Sequence, residues 1–142
     1  MKSVKIQLFL VLLLLLILVP VGCAKTSDSI AQTGQSEANL TSITLPQALT
    51  NGKPTLAEFG RGTCIPCKEM KPILENLAVE FQDRLNVAIV SVDVYRDLTN
   101  YYRIMAIPTQ IVFDSKGKEI FRHVGLWPKD QIIAQLDKLG IK

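Results

Sequence analysis

Two cysteines stand two residues apart in the stretch "GRGTCIPCKEMKP", Gly60 to Pro72. Such a pair can clamp a metal, staple a fold, or switch reversibly between dithiol and disulfide. A zinc clamp needs four ligands, whereas this chain offers one histidine, His123, and no second cysteine pair. Copper binding by two thiolates with His123 or a methionine stays open, without positive support. As a staple the pair closes a very short loop, and that constrains the unfolded chain little, because the stabilisation grows with loop length. Redox exchange is the use the spacing favours. If Cys64 opens a helix, its sulfur lies among backbone N–H groups that have no intrahelical partner, at the positive end of the helix dipole. Its thiolate is then favoured and becomes the nucleophile toward a substrate disulfide, with a pKa of about 3.5 to 7 in comparable motifs. Cys67, one turn in and more buried, resolves the mixed disulfide. Pro66 fits a first helical turn, where N–H groups need no intrahelical acceptor, and stiffens the loop between the sulfurs.

The flanking sequence has to supply that helix and a sheet beneath it. From Cys64 to Phe81, Met70, Ile73, Leu74, Leu77, Ala78 and Phe81 recur at three- and four-residue spacing. One face therefore packs on a sheet while Lys68, Lys71, Glu75 and Glu80 stay wet. Pro72 removes one backbone donor inside this helix and is predicted to kink it. Before it, "LPQALTNGK" has Pro46 for the first turn of a short helix and Asn51-Gly52 for its stop, and "PTLAEFG" reads as a buried strand. A carboxylate inside that strand, Glu58, has a raised pKa and can exchange protons near neutral pH; on an exposed strand end it would do neither. "LNVAIVSVDV" is almost continuously apolar and β-branched, which predicts a central strand covered on both faces. "YRDLTNYYRI" reads as a helix, and "PTQIVFD", "DSKGK" and "EIFRHVG" as a hairpin. Pro128 then opens a last helix that turns Ile132, Ile133, Leu136 and Leu139 inward. The order β-α-β-α-β-β-α predicts an α/β fold, a mixed sheet with helices on both faces.

The chain has 142 residues, 48% of them hydrophobic, enough for one core-bearing domain. Residues 1–22 read as a signal peptide: Lys2 and Lys5 precede the apolar run Leu8 to Val19, which stops at Pro20, short of the roughly 20 residues a membrane-spanning helix needs. The alternative is an uncleaved signal anchor. "VPVGC", Val19 to Cys23, is similar to a bacterial lipobox, which implies that Cys23 is lipidated and becomes the new N-terminus; Pro20 departs from that pattern. Lipidation also accounts for the odd one of three cysteines, since a stray thiol is a liability in an oxidising compartment. Ordinary cleavage nearby is the other reading. Residues 23–41, polar and aperiodic after Cys23, read as a flexible tether, and residues 42–142 as the folded domain. Removing Lys2 and Lys5 leaves 14 basic residues against 13 acidic ones, with no basic and aromatic interleaving, so no nucleic-acid partner is expected.

"EFGRGTCIPCKEMKPIL", followed some forty residues later by "AIPTQIVF" and then "VG", resembles the thioredoxin family from about Leu45 to Leu139. The resemblance implies a thioredoxin-like three-layer fold in which a cis proline, here Pro108, faces the active-site disulfide. Ile107 before it would offer backbone hydrogen bonds to an extended substrate strand, and Gly125 would let the substrate approach. Thr63, Ile65 and Pro66 would belong to the same substrate surface. Glu58 stands where the family keeps a buried acid that takes the proton of the resolving cysteine, and Pro72 matches the proline of the active-site helix. Three positions depart from the pattern: Thr63 replaces a tryptophan, Ile65 a glycine, and Ile89 the lysine that often pairs with the buried acid. Arg61 could favour the Cys64 thiolate as a nearby cation or simply be a solvated loop residue, and Trp127 could pack in the core or touch a partner.

These residues imply an exported thiol-disulfide oxidoreductase of the bacterial cell envelope, monomeric, held on a membrane through Cys23, with no cofactor and no metal. A reductant is the first expectation, because no histidine lies between the cysteines to stabilise the reduced thiolate. Its clients would be disulfides of exported proteins, apocytochrome c among those the resemblance implies, and its electrons would come from a membrane dithiol donor. An oxidase or isomerase, favoured by Ile65, and a non-catalytic thiol- or copper-binding module are the alternatives.

Overall fold

β-Branched and aromatic residues alternate with turn-forming ones at four places between Thr55 and Val124, and each run becomes a strand: β1 (Thr55–Gly60), β2 (Asn86–Ser91), β3 (Thr109–Phe113) and β4 (Glu119–Val124). The computed structural model describes residues 43–142; the signal run, Cys23, the tether and Ser42 lie outside them. Helices α1 (Leu45–Ala48), α2 (Ile65–Glu80), α3 (Arg96–Tyr101) and α4 (Lys129–Lys138) fill the intervals. The described strands form one mixed sheet in the order β2-β1-β3-β4, with β2 parallel to β1 and the other two neighbours antiparallel.

Both faces of the sheet are covered. Leu56 and Val112 meet Met70, Leu74 and Leu77 of α2 and Ile132 and Leu136 of α4 on one side. Ala57, Phe59, Ile111 and Phe113 meet Leu45 of α1 and Leu98 of α3 on the other. Each fully buried leucine or phenylalanine contributes about 1.5–3 kcal/mol relative to exposure, so these two layers hold the sheet and fix what lies between them. Helix α2 runs unbroken through Pro72.

The run Leu85–Val94 departs from its expectation in one respect. β2 is buried along most of its length but forms an edge of the four described strands rather than their centre. A nearly continuous apolar run reports two covered faces, and the layers on either side of the sheet supply them without a second strand neighbour. The strand also stops at Ser91, where Val94 N–H donates to the Ser91 carbonyl in a turn and leaves the Val94 side chain exposed.

Asn86 ties the start of β2 to the turn before β1. Its Nδ2 donates to the Ala48 carbonyl at 3.0 Å and to Asn51 Oδ1 at 2.9 Å, while its Oδ1 accepts from Asn51 Nδ2 at 3.0 Å. The hairpin between β3 and β4 turns at Asp114, whose Oδ1 accepts from the N–H groups of Lys116 and Lys118, holding this carboxyl below its usual pKa. Gly117 adopts φ +76° in that turn, a conformation a side chain would strain.

Candidate active site

β1 ends at Gly60, and three residues later the chain enters α2. A turn closed by Cys64 N–H on the Arg61 carbonyl, 3.1 Å, sets Cys64 as the N-cap of the helix in extended backbone conformation. Its carbonyl receives Lys68 N–H at 3.1 Å and its Sγ accepts from Cys67 N–H at 3.2 Å, so the sulfur satisfies one of the unpaired donors of the first turn. Pro66 occupies that turn without cost, having no N–H to orphan. Cys64 and Cys67 are joined as a disulfide, with Cα atoms 5.3 Å apart. Cys64 is half-exposed and Cys67 buried, so an incoming sulfur reaches Cys64 first.

Glu58 lies mid-strand in β1, at 2% exposure, which removes the exposed-strand-end reading. Its neighbours across the sheet are Ile89 of β2 and Gln110 of β3. Ile89 supplies no charge, Oε1 has no hydrogen-bond partner, and burial alone carries the carboxyl from 4.5 up to about 7. The carboxyl lies against Gly60, where any Cβ would run into it. Glu58 and Cys67 line one cleft of about 380 Å³, whose rim carries Lys68 and Lys71. A carboxyl that titrates near neutrality, opening into the same space as the buried sulfur, can accept a thiol proton there.

At the same end of the sheet, Phe59 of β1 pairs with Thr109 of β3, and the residue before Thr109 is Pro108, joined to Ile107 by a cis peptide bond. Thr109 Oγ1 donates to the Ala106 carbonyl at 2.7 Å, and the Pro108 carbonyl accepts from Gly125 N–H at 2.8 Å. Gly125, at φ +100° with open space where a Cβ would stand, fixes the end of β4 against the proline loop. Ile107 is half-buried and lines a second cleft, of about 300 Å³, with Arg61 and Met105. Thr63 is exposed, Ile65 is exposed at 71%, and Pro66 is half-buried.

Two ambiguous residues resolve. Arg61 is bound to Asp93, Nη2 to Oδ1 2.8 Å, so its charge is directed to that carboxylate. Trp127 is core: it stacks on His123 with ring centroids 4.8 Å apart, and its backbone N–H donates to Met70 Sδ. Among the described residues, no three histidine, cysteine, aspartate or glutamate side chains gather as a metal site.

Sequence reasoning missed Met105, Val124 and Leu126, exposed apolar residues beside Ile107 and on either side of Gly125, because periodicity assigns apolar side chains to the core. It also missed Gln110, fully buried with both amide atoms unpartnered. A polar residue inside the apolar strand "TQIVF" was the available signal.

The family model described as Thioredoxin matches residues 37–138. The thioredoxin of Alicyclobacillus acidocaldarius subsp. acidocaldarius is 38% identical over 97 residues, 68% of this chain and 91% of that protein. That of Acidithiobacillus ferridurans is 40% identical over 89 residues, 63% of this chain and 82% of its own length. A Staphylococcus aureus thioredoxin is 35% identical over 83 residues, 58% of this chain and 79% of its own.

Proposed function

The chain belongs to the thioredoxin family and is a thiol-disulfide oxidoreductase, and from that premise we propose that it works outside the cytoplasm, tethered to a membrane, reducing disulfides of exported proteins. The observation that carries the chemistry is the Cys64–Cys67 pair at the mouth of α2, whose Cys67 shares a cleft with the buried Glu58. The tether and compartment rest on the leader run Leu8–Val19, on Cys23 after Gly22, and on the polar residues 24–41. Pro66 and the absence of histidine between the cysteines support reduction.

In this reading the reduced protein attacks a client disulfide with the Cys64 thiolate, which the positive end of α2 favours. A Cys64–client disulfide forms as one client sulfur leaves as a thiolate and takes a proton from solvent. Glu58 then accepts the Cys67 proton, and the Cys67 thiolate attacks Cys64 Sγ. The second client sulfur departs as a thiolate and takes the proton back from Glu58, two electrons have passed from the dithiol to the client, and the intramolecular disulfide remains. Pro108, Ile107 and Gly125, with Thr63, Ile65 and Pro66 across the opening, form the surface on which the client strand lies. Clients are exported proteins, apocytochrome c among them, and a membrane dithiol donor returns the protein to its reduced form, because no glutathione pool does so outside the cytosol.

Equilibration of the pair against glutathione or dithiothreitol buffers tests the direction. A midpoint near the −270 mV typical of thioredoxin supports the reductant, whereas one near −120 mV makes the protein an oxidant and overturns the reading. Cys67→Ala separates exchange from a binding module: the exchanging enzyme accumulates client disulfides through Cys64, and a module accumulates none. Replacing Cys23 with serine and following the protein between membrane and soluble fractions tests the anchor.

A further inference from the structure

Gln110 lies directly opposite Glu58 on the neighbouring antiparallel strand. Residues opposed in this way project from the same face with Cβ atoms about 4.5–5.5 Å apart, so one water can bridge two side chains of this length. Both are buried, Gln110 completely. Three polar atoms of this pair, Glu58 Oε1 and both amide atoms of Gln110, have no hydrogen-bond partner among the described residues, each other included. An unpaired buried polar atom forfeits the hydrogen bonds it had in water, and a water held between the two side chains would restore part of them.

The other groups facing Glu58 are poorly placed to replace Gln110. Ile89, on the opposite flank, is apolar. Of the charged and titratable groups lining the cleft with Cys67, Arg61 is bound to Asp93, Lys71 lies 3.6 Å from Glu75, and Lys68 and Tyr95 are exposed. His123 stands one strand beyond Gln110, stacked on Trp127, with Nε2 3.3 Å from the Leu126 carbonyl.

We propose that Gln110 is a positioning residue for proton transfer at Glu58: through one bridging water its carboxamide supports the carboxyl in both of its protonation states. Nε2 donates to the water, and the water donates to the carboxylate. Once the Cys67 S–H bond has broken, with the electron pair kept on sulfur and the proton passed to Glu58, the water accepts the new O–H and donates to Gln110 Oε1. A cation in this place would favour only the charged form, whereas an amide serves both and leaves the acid free to cycle. The role rests on the reductase reading given above.

The test uses the purified full-length chain in detergent, wild type and Gln110→Met, which keeps the length of the side chain and removes its polar atoms. NMR follows the Glu58 carboxyl carbon and the Gln110 side-chain amide from pH 5 to 9. In the wild type the amide signals should move with the midpoint of the carboxyl. In Gln110→Met that midpoint should rise by about one pH unit, because the hydrogen bond to the charged form is the stronger of the two lost, and the pH profile of mixed-disulfide resolution should rise with it. An amide that does not respond to the Glu58 titration, or a midpoint unchanged in Gln110→Met, overturns the role. If Gln110→Met fails to fold, the wild-type amide decides alone. Disulfide exchange is assayed separately on the wild type. Exchange with an unresponsive amide defeats only the role of Gln110, while absence of exchange defeats the reductase reading and the role together.

Discussion

Replacing Glu58 by glutamine should stabilise the oxidised protein, and by an amount that depends on pH. Glutamine mimics the protonated acid and cannot ionise. In the wild type, burial carries the Glu58 carboxyl from 4.5 to about 7, so between those values the folded chain holds a proton that the unfolded chain has released. Stability from this group is therefore complete below pH 4.5, falls as pH rises through the interval, and levels off above 7. At about 1.4 kcal/mol per pH unit the full interval is worth about 3 kcal/mol, applied without a surface discount because the residue is 2% exposed. Urea unfolding of wild type and Glu58→Gln at pH 4, 6 and 8 isolates the effect, since every other titrating group is common to both and cancels in the difference. The variant should match the wild type at pH 4 within a few tenths of a kcal/mol, lead it at pH 6, and lead by about 3 kcal/mol at pH 8. A gap of the same size at all three pH values refutes the reasoning, because the carboxyl would then ionise alike in folded and unfolded chains. The same variant should slow mixed-disulfide resolution at neutral pH, so that stability and activity move in opposite directions.

Gly60→Ala forces a methyl group into the Glu58 carboxyl and should cost about 1–3 kcal/mol; in a Glu58→Ala background that cost should largely vanish, which a double-mutant unfolding cycle measures. Asn86→Ala takes one of two donors from the Ala48 carbonyl and the Asn86 contacts from the Asn51 side chain at the base of β2, and should cost about 1–3 kcal/mol in urea unfolding with exchange activity retained. Asp93→Asn breaks an ion pair whose members are both about half exposed, so it should change unfolding stability by less than about 1 kcal/mol, and less still in high salt.

The fold was legible where periodicity and punctuation agreed. Met70, Leu74, Leu77 and Phe81 announce the buried face of α2, and Asp114 to Lys118 announce the hairpin. The place of β2 at an edge was not legible, because an apolar strand records cover above and below it and not the number of its neighbours. At the site, Cys64, Cys67 and Glu58 declared themselves by type and position. Gln110 did not, because its meaning depends on which residue faces it across the sheet, and antiparallel register is a tertiary fact.

The sequence by itself determined the reactive pair: two residues between the cysteines and a helix beginning at the first of them are enough to place one sulfur at the positive end of a dipole and the other a turn behind it. It also determined that a carboxylate would lie within a strand leading to that pair. Only the tertiary structure decided what this carboxylate is. Packing buries it to 2% exposure, Ile89 denies it a cation, and among the described residues Gln110 faces it with unpaired polar atoms, so its affinity for a proton is set by groups that are distant in the chain. Dielectric surroundings and cross-strand partners are created by packing, and no local spacing encodes them.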